Sequence, residues 1–217
     1  MICISAGQIE YSRLADLLKE EYLVEIRLDL NDFTDDELIS IFSSTPDTIA
    51  TCRPGTFSEK ERIDKLIKCI SYGASYIDIE VEAGNNTLEL ISRSVQEYKS
   101  KLIISYHNHE MTPSISELRN LYKLCSVQNA DIVKIACKTI SERDNAALLS
   151  LYNEIPPGGT PLIAIGMGDI GKITRIAALS LGAPFTYASI NKDMETAEGQ
   201  IPKSKLDEIF SLIKNDN

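Results

Sequence analysis

Eight short apolar or alternating segments recur along the chain, and each is followed by a stretch with helical periodicity. The predicted strands are Ile2–Ala6, Leu23–Leu30, Thr48–Arg53, Tyr76–Glu82, Leu102–Asn108, Ile132–Cys137, Pro161–Met167 and Phe185–Ile190. Capping-box pairs at Ser58/Glu61 and Ser114/Glu117 predict the starts of two helices, and Pro202 is predicted just inside the start of the last one. With 217 residues in eight units, each unit has about 27 residues, which fits a compact (β/α)8 barrel.

The competing architecture is a doubly wound open sheet, which uses the same alternation. Strands of such a sheet are buried on both faces, so they are expected to be unbroken apolar runs. Here the polar residues of several strands share one parity, as in Val24-Glu-Ile-Arg-Leu-Asp29, and therefore lie on one face. We therefore predict an α/β fold with a single (β/α)8 TIM barrel, forming one domain over residues 1–217.

The net charge of -10 argues against a general nucleic-acid surface or an anionic-membrane surface, so neither partner is predicted. The five cysteines show no C-x-x-C pair and no zinc-like spacing, which indicates buried reduced thiols. The N-terminal residues do not resemble a signal peptide, so we expect a cytoplasmic protein. With two histidines in the chain, a histidine-rich metal site is excluded, and we predict no metal.

A lysine in the middle of a predicted strand, Lys134, is the least expected residue for a protein interior. Burial disfavours the charged form of a lysine and makes its amine a better nucleophile. The alternative is a structural ion pair of Lys134 with Asp78 or Glu80. Charged residues in or just past other strand ends would share the C-terminal face of a barrel with it, where barrel active sites lie. They are Glu25, Arg27, Arg53, Glu80 and His107, with His109 as the rival histidine.

The segment Gly166-Met-Gly168-Asp-Ile-Gly171 matches the G-x-G-x-x-G pattern, and Asp193 follows at about the spacing expected for dinucleotide binding. Against that interpretation, the segment belongs to the seventh unit and does not open a βαβαβ half. A phosphate site after strands seven and eight of a barrel, and a plain tight turn, are the two other interpretations.

The first half of the chain resembles the type I 3-dehydroquinate dehydratases, a Schiff-base family of the shikimate pathway. Val24-Glu-Ile-Arg-Leu-Asp29 resembles the family's E-x-R-x-D strand, and Cys52-Arg53-Pro54 resembles the segment with its third-strand arginine. Tyr76-Ile-Asp-Ile-Glu80 resembles the fourth strand, and Ser5 falls at the first-strand serine.

The resemblance continues in the same order through the second half. Ser105–Pro113 resembles the histidine segment that ends in Thr-Pro, which makes His107, rather than His109, the family's histidine. Asp131–Ala136 resembles the strand with the Schiff-base lysine. Pro161–Arg175 resembles the segment with the carboxylate-binding arginine, which makes the glycine run a turn leading to that residue. Thr196–Gln200 resembles the S-x-P-G-Q loop, with threonine in place of serine.

The resemblance implies dehydration of 3-dehydroquinate to 3-dehydroshikimate, without a metal or organic cofactor, by a homodimer. Lys134 would form the Schiff base, and His107 would be the general acid and base. The implied substrate-binding residues are Ser5, Glu25, Arg27, Arg53, Arg175, Thr196 and Gln200. Two alternatives stay open: another class I Schiff-base lyase or aldolase, and a ligand-binding barrel with impaired turnover.

Two departures from the family pattern bear on those expectations. Members often have an acidic residue four positions after the third-strand arginine, where it steadies the histidine, but this chain has Phe57 there. Glu59 and Glu80 are the two candidates to replace it. Many members also have an N-terminal hairpin that closes the bottom of the barrel. We expect this chain to lack the hairpin and to close the bottom in another way.

Overall fold

Eight strands alternate with eight helices in the computed structural model, which describes residues 1–20, 22–43 and 47–214. The strands are β1 Ile2–Ala6, β2 Leu23–Arg27, β3 Thr48–Thr51, β4 Tyr76–Glu80, β5 Lys101–Asn108, β6 Ile132–Lys138, β7 Leu162–Met167 and β8 Thr186–Ser189. The helices are α1 Tyr11–Lys19, α2 Asp35–Phe42, α3 Glu59–Ser71, α4 Asn85–Tyr98, α5 Ile115–Ser126, α6 Glu142–Ser150, α7 Lys172–Ser180 and α8 Lys203–Lys214. Two 3-10 turns, Val81–Ala83 and Leu151–Glu154, follow β4 and α6.

All neighbouring strands pair in parallel, in the order β7-β6-β5-β4-β3-β2-β1-β8. The sheet curls into a nearly closed barrel with the helices outside it, so the predicted (β/α)8 architecture is confirmed. In the described part of the chain β7 and β8 are the two ends of the ladder and are not paired with each other. We call the line between them the β7–β8 seam.

The strand ends differ from the predicted ones where the chain turns early. β2 stops at Arg27, because the backbone N–H of Leu30 folds back to the Arg27 carbonyl at 3.1 Å. Pro202 precedes α8 instead of opening it, and forms an isolated bridge to Ser189 at the end of β8. The capping boxes at Ser58 and Ser114 are confirmed, since each side chain accepts the expected backbone N–H.

The barrel interior is apolar at the N-terminal ends of the strands and polar at their C-terminal ends. The apolar part is a cluster separate from the larger core between sheet and helices; its members are Cys3, Leu23, Ile49, Ile103, Ile132, Ile163, Ile165, Phe185 and Tyr187. Phe185 meets Tyr76 edge to face, with ring centroids 6.1 Å apart, and Tyr76 packs against this cluster. On six of the strands the next inward-facing residue is polar or charged, which places polar groups toward the mouth; these residues are Ser5, Glu25, Thr51, Asp78, Ser105 and Lys134.

No helix in the described ranges has the length and apolar character needed to cross a membrane. All five cysteines are buried free thiols.

Candidate active site

A cavity of about 700 Å³ opens at the C-terminal ends of the strands. Its lining includes eight of the nine site residues expected from the sequence: Glu25, Arg27, Arg53, His107, Lys134, Arg175, Thr196 and Gln200. The ninth, Ser5, does not line the cavity, but its hydroxyl donates to Glu25 and lies 2.6 Å from the Thr196 hydroxyl. The barrel thus brings together residues that are separated by up to 195 positions in the sequence (200 − 5).

Lys134 is buried on β6 and directs its amine at the cavity wall. Its Nζ donates to Asp78 Oδ2 at 2.9 Å and lies 3.5 Å from Glu25 Oε1. The same nitrogen lies 4.0 Å from the ring centroid of Tyr187. The ion pair considered from the sequence is therefore present with Asp78, whereas Glu80 pairs with arginines. Because the pair lies on the wall of the cavity, it holds the amine where a ligand would meet it.

The two carboxylates beside Lys134 are charged. Burial alone would raise the pKa of Asp78, but Arg53 and Lys134 outweigh it, and the pKa lies well below its usual range. Burial opposes ionisation of Glu25 too, and the charge of Lys134, with those of Arg53 and Arg27, lowers its pKa. Thr51 also donates to Glu25 Oε1 at 3.0 Å. The floor of the cavity is thus a fixed network of alternating charges.

Arg27 and Arg53 each form ion pairs with carboxylates. Arg53 makes a two-bond fork to Asp78, at 2.9 and 2.8 Å, and a further ion pair with Glu80. Arg27 makes the same kind of fork to Asp29, at 3.0 and 2.6 Å. Bidentate pairs of this kind hold the guanidinium planes in fixed orientations. Both side chains line the cavity.

Arg175 differs from them in having no carboxylate in ion-pair contact among the described residues. It lies on α7, is 2% exposed, and reaches across the β7–β8 seam. Its Nε donates to the Gly199 carbonyl at 3.0 Å, and its Nη1 lies 3.5 Å from the Tyr187 carbonyl on β8. Burial lowers the pKa of Arg175 to about 10. A buried guanidinium with neutral partners is a ready binding site for an anionic group.

His107 stands at the end of β5, half-buried in the cavity wall. Its Nδ1 is buried and has no hydrogen-bond partner in the part of the chain that the structure describes. Burial lowers the pKa of His107 well below its usual value, and the charges of Arg53 and Lys134 lower it further. The imidazole is therefore neutral at neutral pH, the form that accepts a proton.

The β8–α8 loop, residues 190–202, covers one side of the cavity. The backbone N–H of Thr196 donates to Gln200 Oε1 at 2.8 Å, which ties the two site residues of the loop together. Gly168 N–H donates to the Glu198 carbonyl at 3.0 Å, and a Cβ on Gly199 would lie 2.4 Å from the Gly168 carbonyl oxygen. The glycines of the G-x-G-x-x-G segment thus serve a tight turn and a close backbone approach.

Two residues of the site were not singled out from the sequence. Arg62 of α3 is 1% exposed and its Nη1 donates to Glu80 Oε2 at 2.7 Å. Its position on the buried side of α3, four residues before Leu66, was the available signal. Tyr187 lies over Lys134, and its inward-facing position on β8 was the corresponding signal in the sequence.

In the described ranges, no group of three His, Cys, Asp or Glu side chains is placed to hold a metal ion.

The fold and this cavity define the chain as a (β/α)8-barrel enzyme whose mouth brings together an interior lysine, a histidine and an arginine that has no carboxylate partner among the described residues. A family model described as type I 3-dehydroquinase matches residues 6–217. A 3-dehydroquinate dehydratase of Methanococcus vannielii is 37% identical over 99% of this chain and 100% of the relative. The chain belongs to the type I 3-dehydroquinase family.

Solved structures agree in fold. A 3-dehydroquinate dehydratase from Aquifex aeolicus superposes with a TM-score of 0.81 and 30% identity, covering 99% of both chains. One from Geobacillus kaustophilus has a TM-score of 0.87 at 23% identity, covering 100% of this chain and 91% of the other.

Proposed function

We propose that the chain dehydrates 3-dehydroquinate to 3-dehydroshikimate through a Schiff base on Lys134. The observation that carries the proposal is the pairing, across one cavity, of a buried amine with a buried arginine that has no carboxylate partner among the described residues. A substrate with a ketone and a carboxylate fits that pair. The relatives that bear this activity by name share the family of the chain.

Lys134 would attack the ring ketone through its amine, after one proton of its ammonium form has moved to a neighbouring group. That proton would leave with the ketone oxygen in the departing water, so the products of this step are a protonated iminium and one water. The iminium withdraws electrons and acidifies the neighbouring C–H. His107 would accept that proton as a neutral imidazole and donate it to the departing hydroxyl, which leaves as a second water. Hydrolysis of the iminium consumes one water and frees Lys134, so the net change is loss of one water.

The other site residues would hold the substrate during these steps. Arg175 would bind the carboxylate through two parallel hydrogen bonds, a geometry that a lysine does not reproduce. Arg27, Arg53 and Glu25 would contact ring hydroxyls from their fixed positions. Thr196 and Gln200 would close the chamber from the β8–α8 loop and exclude water.

Turnover of 3-dehydroquinate, followed by ultraviolet absorbance of the enone product, tests the reaction. Borohydride added with substrate tests the covalent step, because it reduces the iminium to a stable amine. We expect inactivation and a ligand mass on the peptide that contains Lys134. Lys138 is the matched control, since it lies on the same strand but pairs with Glu198 outside the core. Lys134→Ala should abolish the adduct, and Lys138→Ala should keep it.

Two outcomes would contradict the proposal. An adduct on Lys138 would mean that the nucleophile is misassigned. Borohydride trapping of Lys134 in the presence of a phosphorylated sugar, with no trapping in the presence of 3-dehydroquinate, would favour the aldolase alternative. A homodimeric state and a cytoplasmic location remain predictions, and sedimentation equilibrium of the purified chain tests the first.

A further inference from the structure

The imidazole of His107 is not held in place by a hydrogen bond at its buried nitrogen, Nδ1, from any described residue. Acid–base catalysis depends on the direction of the imidazole nitrogens, so the ring needs another restraint. Phe57, at the position where related enzymes often have a carboxylate, packs against the hydrophobic core with Lys65 Nζ 4.5 Å from its ring centroid. The restraint on His107 therefore comes from elsewhere.

The two glutamates considered as replacements for that carboxylate are engaged by arginines. Glu80 uses one oxygen for Arg53 and the other for Arg62. Glu59 accepts from Arg62 Nε at 3.1 Å. Both carboxylates therefore stabilise guanidinium groups, and neither makes a hydrogen bond to the buried Nδ1 of His107 in the described structure.

The His107 ring stacks with the ring of His109, two residues further on. The two rings are parallel to within 13°, with centroids 6.3 Å apart, which is within the range of an offset aromatic pair. Both rings line the same cavity. His109 is exposed and His107 is half-buried.

The loop that carries His109 is itself fixed. Asn108 Oδ1 accepts the backbone N–H groups of Glu110 and Met111, both at 3.0 Å, and its Nδ2 donates to the Tyr106 hydroxyl at 3.2 Å. Thr112 then donates to the Lys138 carbonyl at 2.8 Å, which ties the loop to β6. A side-chain-bridged turn of this kind sets the backbone direction at His109.

We propose that His109 is a positioning residue that holds the His107 imidazole in its reactive orientation by ring stacking, in place of a carboxylate. The inference rests on the proposed function, because His107 must be the acid–base group for its orientation to matter. His109 acts here through its planar ring, so a phenylalanine should reproduce most of the effect and an alanine should not.

Kinetics of His109→Phe and His109→Ala test the proposal. An aromatic pair contributes about 0.5–1.5 kcal/mol, which corresponds to roughly a two- to tenfold loss of kcat in the alanine variant, with KM little changed. The phenylalanine variant should recover most of that loss. Slower proton transfer lengthens the lifetime of the iminium. The alanine variant should therefore also accumulate covalent adduct, which mass spectrometry detects. Met111→Ala, an exposed change in the same loop outside the cavity, is the control.

A double-mutant cycle separates positioning from direct catalysis. If His109 acts only through His107, His109→Ala should cause no further loss in a His107→Ala background. Equal losses in the alanine and phenylalanine variants, additive with His107→Ala, would overturn the proposal and make His109 an acid–base group in its own right. Wild-type kcat in His109→Ala would overturn it too.

A second measurement does not depend on turnover. The chain has two histidines, so each His109 variant leaves His107 as the single source of imidazole signals in NMR spectra. Those signals should be sharp in His109→Phe and broadened or doubled in His109→Ala. Identical His107 signals in both variants would refute the stacking role. If wild-type enzyme fails to turn over 3-dehydroquinate while the NMR difference is present, the proposed reaction fails and the stacking role stands.

Discussion

Replacing Arg175 with methionine should separate ligand binding from folding, because the guanidinium is buried without a carboxylate partner in the described structure. Methionine is an unbranched, flexible and uncharged side chain that replaces the aliphatic stem of the arginine. A buried arginine in an ion pair would leave its partner uncompensated when it is removed. Here no charged partner is left behind, so the substitution should weaken binding strongly and leave stability nearly unchanged.

The expected stability change follows from two opposing effects. A pKa lowered from 12.5 to about 10 corresponds to about 3 kcal/mol against the charged form at this position. The hydrogen bond from Arg175 Nε to the Gly199 carbonyl offsets about 1.5–3 kcal/mol of that, as bonds from charged groups do. The free energy of unfolding of Arg175→Met should therefore stay within about 2 kcal/mol of wild type.

The expected binding change is larger. Truncating one partner of a buried charge pair costs about 2–5 kcal/mol, which corresponds to roughly 30-fold to several thousand-fold in kcat/KM for 3-dehydroquinate. Arg175→Lys should fall between wild type and Arg175→Met, since it keeps the charge and loses the fork. For a ligand analogue without the carboxylate, the difference between wild type and variant should nearly vanish.

The assay pairs steady-state kinetics with urea unfolding of the same preparations. Arg119→Met is the matched control, since Arg119 forms an exposed ion pair with Glu154 and should change neither quantity. If Arg175→Met weakened binding of the analogue as much as that of 3-dehydroquinate, the carboxylate site would lie elsewhere. If it destabilised the fold by more than about 3 kcal/mol, the side chain would be structural.

Three further outcomes are expected. His107→Ala should lower kcat by roughly a hundredfold or more and should accumulate covalent adduct; unchanged kcat would exclude His107 as the acid–base group. Because the pKa of His107 is lowered, its neutral form persists below pH 6.5, so the acid limb of the kcat/KM profile should lie below that value and not above it. Asp78→Asn should lower the free energy of unfolding by about 3–5 kcal/mol, because Arg53 and Lys134 lose their shared carboxylate, whereas Asp35→Asn at an exposed pair should change it by less than 1 kcal/mol.

The fold was predictable from the sequence because the polar residues of the strands keep one parity. A one-residue slip would turn Glu25 and Arg27 toward the helices, so their spacing specifies which side is the interior. The ends of the strands were less predictable. β2 ends at Arg27 although the next residue, Leu28, is apolar. The strand ends there because the backbone N–H of Leu30 donates to the Arg27 carbonyl in a turn, and the alternation of polar and apolar residues does not predict that bond.

Most of the candidate site was predictable because strand ends of a barrel converge on one mouth. Which side chains contact each other was not predictable, because those contacts depend on the register between strands in the closed sheet. The ion-pair alternative for Lys134 named Asp78 or Glu80 as its partner, and Lys134 lies between Asp78 and Glu25. Arg62 was missed for a different reason, since it reaches the mouth from a helix and not from a strand end.

The β7–β8 seam leaves the sheet of this barrel open along one line. Side chains and loops, and not strand pairing, hold β7 and β8 together there. Amide hydrogen exchange should therefore be fastest on the strands that border the seam, where local opening breaks no ladder between them. Arg175 extends from α7, the helix that follows β7, to carbonyls on β8 and in the β8–α8 loop, so a bound carboxylate would fix a side chain that links the two sides of the seam. Ligand binding should then slow exchange in Leu162–Met167 and Thr186–Ser189 together, as one cooperative unit.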